Sequence, residues 1–351
     1  VARDRKNEVK NQLNFLEWNL RRIGELGKNI SEYSSARKKP YEFQQTAIDE
    51  ILRAFSSGSK SALAMFATGL GKSIILSEVA HDFTVNKNQK VLLLADKLTL
   101  IEQLESSIWS QIPAHIDTRL WGGGKTPSSF EGVTIATQQS VSAALSRGEK
   151  LPYFSLIMVD ECHHALSPTF SQLLVDLNPS YLLGVTATPW RGDQRKIAEI
   201  FGNPVATMGI VEGIEKGYLA DVEYKMFADN IDWDIVADNS KKRMSIKDLN
   251  AKLFIPSRDE IMCGKIIEEW NANNRPQMIT FCKGIDHAER LAQLFNAMGL
   301  SSRAVHSREM AQAERAKHIM DFKVGIFSNL IGVDILNEGI DVPDVGMIIF
   351  A

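Results

Sequence analysis

Two short segments combine residue types that suit phosphate chemistry. The first, residues 67–73, has the sequence A-T-G-L-G-K-S and lies between an apolar run and a helical pattern. Glycines let a backbone fold around phosphate oxygens with its N–H groups pointing inward, and the start of a helix adds a favourable dipole. Lys72 would then place a positive charge on the β and γ phosphates, and Ser73 would offer a hydroxyl to Mg²⁺. The general phosphate-loop pattern G-x-x-x-x-G-K-S requires glycine where this chain has Phe66, so the segment departs from that pattern.

The second segment is acidic and follows the apolar run 156–159. Asp160, at the end of a buried strand beside a phosphate loop, could hold Mg²⁺, usually through water. Glu161 beside it could orient and deprotonate an attacking water. The pair His163-His164 has no further ligand at a suitable spacing, so packing or coupling is favoured over metal binding by these histidines.

Continuous apolar runs predict the elements that position these segments. The runs in the first part of the chain are 62–67, 91–95, 133–137, 156–160 and 182–188, and those in the second part are 278–282, 325–330 and 346–350. Continuous hydrophobicity is typical of strands that are buried on both faces, as in parallel sheets with helices on each side. Ligands of such sheets bind beyond the carboxyl ends of the strands, where both segments above lie. The sequence therefore predicts two α/β lobes.

The polar stretches suggest where the chain divides. Residues 1–38 are charged and carry an apolar helical stripe, so we expect a helical extension and linker, which packs on its own lobe or serves as a partner-docking helix. The first lobe is expected at 39–218 and the second at 219–351, with a linker or excursion near 229–258. The chain begins at Val1 and ends just after an apolar run, so we expect a fragment with an incomplete second lobe.

Composition sets limits on the class of protein. The chain has 351 residues, of which 44% are hydrophobic, and a formal net charge of −3. No apolar run approaches the roughly 18 residues of a membrane span, and no signal peptide is recognisable. Three unpatterned cysteines are expected in a reducing cytoplasm and exclude a cysteine-rich metal module. The net charge argues only weakly against nucleic-acid binding, because a groove can be basic on an acidic protein.

The order of the motifs resembles superfamily 2 DExH-box helicases and translocases, which have two RecA-like lobes. The resemblance covers about residues 38–351 and rests on the phosphate loop, Asp-Glu-Cys-His at 160–163 and Thr-Ala-Thr at 186–188. Many members of this superfamily have A-T-G-x-G-K-[ST] as their phosphate loop, so Phe66 is compatible with it. The sequence of residues 338–343, E-G-I-D-V-P, is similar to the corresponding motif in the translocases of type I restriction enzymes and in related repair and antiphage helicases.

The resemblance implies roles for further residues. It implies that Lys72, Asp160 and Glu161 are catalytic and that Ser73 and Asp160 hold Mg²⁺. It also implies that the nucleotide site contains Phe43, Gln44, Thr68, Gly69, Gly71, Lys72, Ser73, Gly339 and Asp341. It implies that nucleic acid contacts Asp96, Lys97, Gly122, Gly123, Thr137, Gln138 and Lys283. Tyr41 stands where the family's adenine-reading motif R-x-Y-Q has arginine, and Val333 replaces a usual threonine.

These features predict an ATP- and Mg²⁺-dependent motor that acts on nucleic acid, with DNA favoured over RNA. We expect the protein to be cytoplasmic and to work with a flanking nuclease or specificity domain or subunit. The family's motif VI, Q-x-x-G-R-x-x-R, is not found by residue 351, and its arginines contribute on the order of 10³–10⁵ in rate. We therefore expect the isolated fragment to bind ATP but to hydrolyse it slowly. The alternatives are an ATP-gated clamp without translocation, an RNA helicase and a metabolic P-loop kinase; the motifs of the second lobe disfavour the kinase.

Overall fold

The computed structural model describes residues 38–113, 115–124, 126–187, 194–226, 255–306, 310, 312–333 and 345–351. The helical extension expected over residues 1–38 therefore lies almost wholly outside the described residues, as do Thr188, Gly339 and Asp341. The chain divides into two compact units, which meet in sequence between Val222 and Glu223. No helix within the described ranges is both long and apolar enough to cross a bilayer.

The first unit is built on a seven-stranded parallel sheet with the strand order β3-β4-β2-β5-β6-β1-β7. Its strands are β1 Ser61–Phe66, β2 Val91–Ala95, β3 Thr118–Trp121, β4 Val133–Thr137, β5 Leu156–Asp160, β6 Tyr181–Thr186 and β7 Pro204–Met208. The five apolar runs predicted here correspond to β1, β2, β4, β5 and β6. The two edge strands, β3 and β7, were not predicted, because several of their residues are partly exposed and they lack a continuous apolar run.

Helices cover both faces of this sheet. They are α1 Glu42–Ser56, α2 Lys72–His81, α3 Leu98–Gln111, α4 Gln138–Ser146, α5 Pro168–Leu177, α6 Gln194–Phe201 and α7 Ile210–Glu215, with a π-helical turn at Asp82–Asn86 and a 3-10 helix at Cys162–Leu166. Alternate residues of β2 enter opposite cores: Leu93 packs in the cluster with α1, α2 and α3, whereas Leu92 packs in the cluster with α4, α5 and α6. Burial on both faces explains why the strands are continuously apolar.

The second unit contains a four-stranded parallel sheet with the order β11-β8-β10-β9. Its elements are α8 Ile255–Ala272, β8 Gln277–Phe281, α9 Ile285–Ala297, β9 Ser302–Val305, α10 Gln312–Lys323, β10 Asn329–Gly332 and β11 Val345–Phe350. Two parallel sheets flanked by helices confirm the predicted fold class.

Two predicted boundaries in this unit differ from the structure. The strand expected at 325–330 lies at β10, because Gly325 takes a left-handed φ of 76° and residues 324–328 form the turn that leaves α10. Buried Asn329 then begins the strand, and its amide is satisfied by Thr280 and Ser302 of the neighbouring strands at 2.9 and 3.1 Å. Arg258, expected in a linker, lies within α8.

Candidate nucleotide site

The phosphate loop joins β1 to α2 and is folded by its glycines. Gly69 and Gly71 take φ values of 88° and 72°, in the left-handed region that favours glycine. The backbone N–H of Leu70 donates to the carbonyl of Ala67 at 3.2 Å, which closes the turn. Helix α2 then begins at Lys72, so its unpaired N–H groups face the concave side of the loop. The predicted residues Thr68, Gly69, Gly71, Lys72 and Ser73 all lie in this loop or in the first turn of α2.

Lys72 and Glu161 form an ion pair at this loop. The Lys72 Nζ lies 3.2 Å from the Glu161 Oε1, and the two side chains are 13% and 27% exposed. Glu161 follows directly after β5 with a left-handed φ of 47°, which is uncommon for a residue other than glycine. Backbone strain of this kind is held in place by surrounding contacts and is frequent at functional sites. The structure therefore brings together the lysine and the glutamate that the sequence predicts to be catalytic.

The second oxygen of Glu161 is held by the end of β6. The Thr186 hydroxyl donates to Glu161 Oε2 at 3.2 Å, and the N–H of Ala187 lies 3.4 Å from the same oxygen. His163 Nδ1 lies 2.9 Å from the Thr186 hydroxyl. Since that hydroxyl donates its proton to Glu161, His163 Nδ1–H is the donor to it. Glu161 thus has one oxygen held by β6 and the other turned to Lys72.

Asp160 ends β5 beside this ion pair. Burial, and secondly the charge of Glu161, raise the pKa of Asp160 to about 6, and Lys72 partly offsets the rise. No group of three metal-ligating side chains exists among the described residues. The set at this site nevertheless suits Mg²⁺, which takes one or two carboxylates together with waters and phosphate oxygens. A cation would relieve the unfavourable burial of the Asp160 charge, and Ser73 and Asp160 would hold it.

A cleft with a volume of about 480 Å³ opens beside the phosphate loop. Gln44 is buried in its wall and is fixed at both ends: its Oε1 accepts from the Tyr41 N–H at 2.9 Å and its Nε2 donates to the Leu70 carbonyl at 2.9 Å. Phe43, also predicted, lines the cleft, as does Tyr218, which the sequence analysis missed. Tyr218 belongs to no motif and lies far from Gln44 in sequence, so pattern alone gives no signal for it.

The residues predicted to contact nucleic acid lie at the carboxyl ends of other strands in the first unit. Asp96 and Lys97 follow β2, and Thr137 and Gln138 end β4 and begin α4. The Thr137 hydroxyl caps α4 by accepting from the Ser140 N–H at 3.3 Å. The Asp96 carboxylate accepts from the Gln139 amide at 3.1 Å, a contact that joins these two strand ends and that the sequence did not predict.

Of the remaining predicted residues, two glycines follow β3, the neighbour of β4, and the others belong to the second unit. Gly122 and Gly123 follow β3, and Gly123 has a left-handed φ of 61°. Lys283 is exposed after β8 in the second unit. The second-lobe nucleotide residues Gly339 and Asp341 fall in 334–344, outside the described residues, so the structure carries no geometry for them.

A phosphate loop, an acidic strand end and two parallel α/β units are the features of a helicase-type P-loop fold. Residues 37–191 match the family model described as type III restriction enzyme, res subunit, and residues 259–351 match the model of the helicase conserved C-terminal domain. The two matches together support a superfamily 2 helicase that is related to the restriction-motor enzymes.

Individual relatives agree with this assignment. The chain is 27% identical to the type I restriction enzyme EcoAI endonuclease subunit of Escherichia coli over 277 residues, which cover 72% of this chain and 34% of that protein. It is 22% identical over 339 residues to DNA 3'-5' translocase XPB2 of Sulfurisphaera tokodaii, covering 86% of this chain and 72% of that one. A solved structure of the ATP-dependent type ISP restriction-modification enzyme LlaBIII bound to DNA shares the fold with a TM-score of 0.62 and 17% identity, over 90% of this chain and 26% of that one. The chain spans about a third to a half of the length of several curated relatives.

Proposed function

We propose that this chain hydrolyses ATP and couples hydrolysis to movement along a nucleic-acid strand, with DNA as the favoured track. The observation that carries the proposal is the contact between Lys72 of the phosphate loop and Glu161, whose other oxygen is held by Thr186. A lysine for phosphate and a positioned general base therefore lie together at the carboxyl edge of one sheet.

The contacts of Glu161 suggest how it acts. When a triphosphate enters the loop, Lys72 turns to the β and γ phosphates and leaves Oε1 of Glu161 free. Thr186 and Ala187 keep Oε2 in place, so Oε1 is presented to the attacking water and receives its proton. Bound Mg²⁺, held by Ser73 and Asp160, would neutralise charge on the phosphates.

Two relatives favour DNA as the track, because one is a subunit of a restriction endonuclease and the other is named as a DNA translocase. On the first unit, the contacts would come from Asp96, Lys97 and the strand ends that carry Gly122, Gly123, Thr137 and Gln138. In the second lobe, Lys283 would contact the strand, and Gly339 and Asp341 would face the nucleotide. A flanking nuclease or specificity domain or subunit is the partner that fits this relationship, and we propose a cytoplasmic location.

The first test is the rate of ATP hydrolysis by the full-length protein, alone and with single-stranded DNA, double-stranded DNA and RNA. We expect stimulation by DNA that Lys72→Ala abolishes. Displacement of a third strand from a DNA triplex would then separate a motor from a clamp that grips without moving. Stimulation by RNA alone would replace the DNA assignment, and unchanged hydrolysis by Lys72→Ala would refute the assignment of the site.

A further inference from the structure

An aromatic cluster forms one wall of the cleft beside the phosphate loop. The ring of Tyr218 lies 4.5 Å from that of Phe43 and 5.4 Å from that of Tyr41, measured between centroids. Tyr41 and Phe43 come from the start of α1, whereas Tyr218 comes from the segment after α7. Chain segments distant in sequence thus meet at the cleft, and Tyr218 remains partly exposed there.

Backbone hydrogen bonds hold the chain at Tyr218 and at the residue that follows it. The N–H groups of Tyr218 and Leu219 both donate to the carbonyl of Gly213, at 2.8 and 3.0 Å. The side chain of Leu219 reaches the phosphate loop, since a Cβ built on Gly69 would lie 3.0 Å from its Cδ2. The backbone at Tyr218 is therefore held beside the phosphate loop, and the ring packs against Phe43.

The chemistry of this wall suits the flat face of a nucleobase. Stacking of a base on an aromatic side chain contributes about 1–3 kcal/mol. The cleft volume of about 480 Å³ lies within the range of about 300–1,000 Å³ typical of small-molecule sites. Gln44 and Tyr218 line the same cleft as Gly69 and Gly71, so a nucleotide with its phosphates in the loop brings its base to this wall. The chain has Tyr41 rather than an arginine in this aromatic cluster, and the charged side chains that line the same cleft are Lys38 and Lys39.

We propose that Tyr218 is a base-binding residue, which stacks against the purine of the nucleotide whose phosphates Lys72 holds. The inference rests on the proposed function, because it assumes that the loop binds a triphosphate. Gln44 would contact the edge of the base while Tyr218 covers its face. A purely structural role for Tyr218, as packing that holds the segment at Leu219 against the phosphate loop, would instead weaken binding of the phosphates and of the base equally.

The test compares two probes, Mg-ATP and Mg-tripolyphosphate, which share the phosphate chain but differ in the nucleoside. Calorimetric titration of the chain should show that Tyr218→Ala weakens ATP binding by about 5- to 150-fold, the equivalent of one lost stacking contact. The same variant should bind tripolyphosphate as the unchanged chain does. Tyr218→Phe keeps the ring and should bind ATP almost normally. Tyr153→Ala, which removes an exposed tyrosine of the first unit outside this cleft, is the matched control.

The outcomes separate the two proposals. Equal weakening of both probes by Tyr218→Ala, or unchanged ATP binding, would overturn the role of Tyr218 while leaving the phosphate site intact. Failure of the unchanged chain to bind either probe would overturn the phosphate site, and the base site with it. Thermal unfolding of each variant shows whether a loss of binding comes from misfolding. If Tyr218→Ala misfolds, Tyr218→Phe is the deciding variant, and weak ATP binding by a folded Tyr218→Phe would also overturn the proposal.

Discussion

Replacing Glu161 by glutamine should tighten ATP binding while slowing hydrolysis. The substitution keeps the shape of the side chain and its acceptor for Thr186, but it removes the charge that pairs with Lys72. ATP must break this pair in the unchanged protein, because the lysine is needed by the phosphates. The glutamine variant meets the nucleotide with Lys72 already released, so part of the cost of binding disappears.

The size of the effect can be worked from the geometry. Two unit charges 3.2 Å apart attract by about 5 kcal/mol at an effective dielectric constant near 20, before desolvation is counted. Pairs that retain exposure are worth about 0.2–1 kcal/mol when measured, because water competes for both charges. With side chains 13% and 27% exposed, we take about 1 kcal/mol, which corresponds to roughly fivefold tighter binding. Loss of the general base should lower the hydrolysis rate by about 10²- to 10⁴-fold.

The assay is calorimetric titration of ATP into four proteins: the unchanged chain, Glu161→Gln, Lys72→Ala and the double variant. Such a cycle isolates the energy that belongs to the pair. Glu161→Gln should gain affinity only when Lys72 is present. An equal gain in the Lys72→Ala background would show that the glutamate repels the triphosphate directly, and unchanged or weaker binding by Glu161→Gln would refute the reasoning about the pair.

Three further predictions follow from single positions. Gly71→Ala should weaken ATP binding in calorimetric titrations, because its Cβ would lie 2.4 Å from the Gln44 amide and displace that side chain. Gly148→Ala has a similar φ of 76° but open space, so it should leave ATP binding unchanged and cost only about 1–2 kcal/mol of unfolding free energy in denaturant titrations. The Asp160 pKa is raised from 3.8 to about 6, so without nucleotide the folded state binds the extra proton between these values. The difference in unfolding free energy between the wild-type chain and Asp160→Asn should therefore fall by about 1.4 kcal/mol per pH unit as the pH rises across that window. A difference that does not change with pH would contradict the raised pKa. Gly184→Ala should lower the unfolding free energy by about 1–3 kcal/mol, because the added methyl would lie 2.6 Å from an aromatic ring of α6, and unchanged stability in the same titration would show that the ring moves aside.

The sequence was most informative where local pattern and chemistry coincide. The phosphate loop and the acidic end of β5 could be predicted because the glycines, lysine and carboxylates lie within a few residues of each other and next to a buried strand. The interior strands were predicted because burial on both faces makes them continuously apolar. The edge strands β3 and β7 lack that signal, since part of their surface is exposed.

The contacts that complete the site depend on tertiary neighbours instead. Tyr218 reaches Phe43 only because β7 returns the chain to the side of β1, and nothing local to Tyr218 indicates this. The bond from Gln139 to Asp96 requires β2 and β4 to be adjacent. Pairing of strands is a long-range property, so a single sequence can supply the residues of a site without supplying all of their partners.

The strand order explains how one sheet can serve both proposed ligands. The order β5-β6-β1-β7 places Glu161, Thr186, the phosphate loop and the segment leading to Tyr218 at the ends of four consecutive strands. The other part, β3-β4-β2, carries the residues predicted to contact nucleic acid at its strand ends. Strands β2 and β5 are neighbours, so Asp96 and Glu161 follow adjacent strands at the junction of the two halves. The 3-10 helix after β5 also holds His163 against Thr186, which positions Glu161. The sheet thus places the predicted strand contacts and the predicted general base at the ends of neighbouring strands.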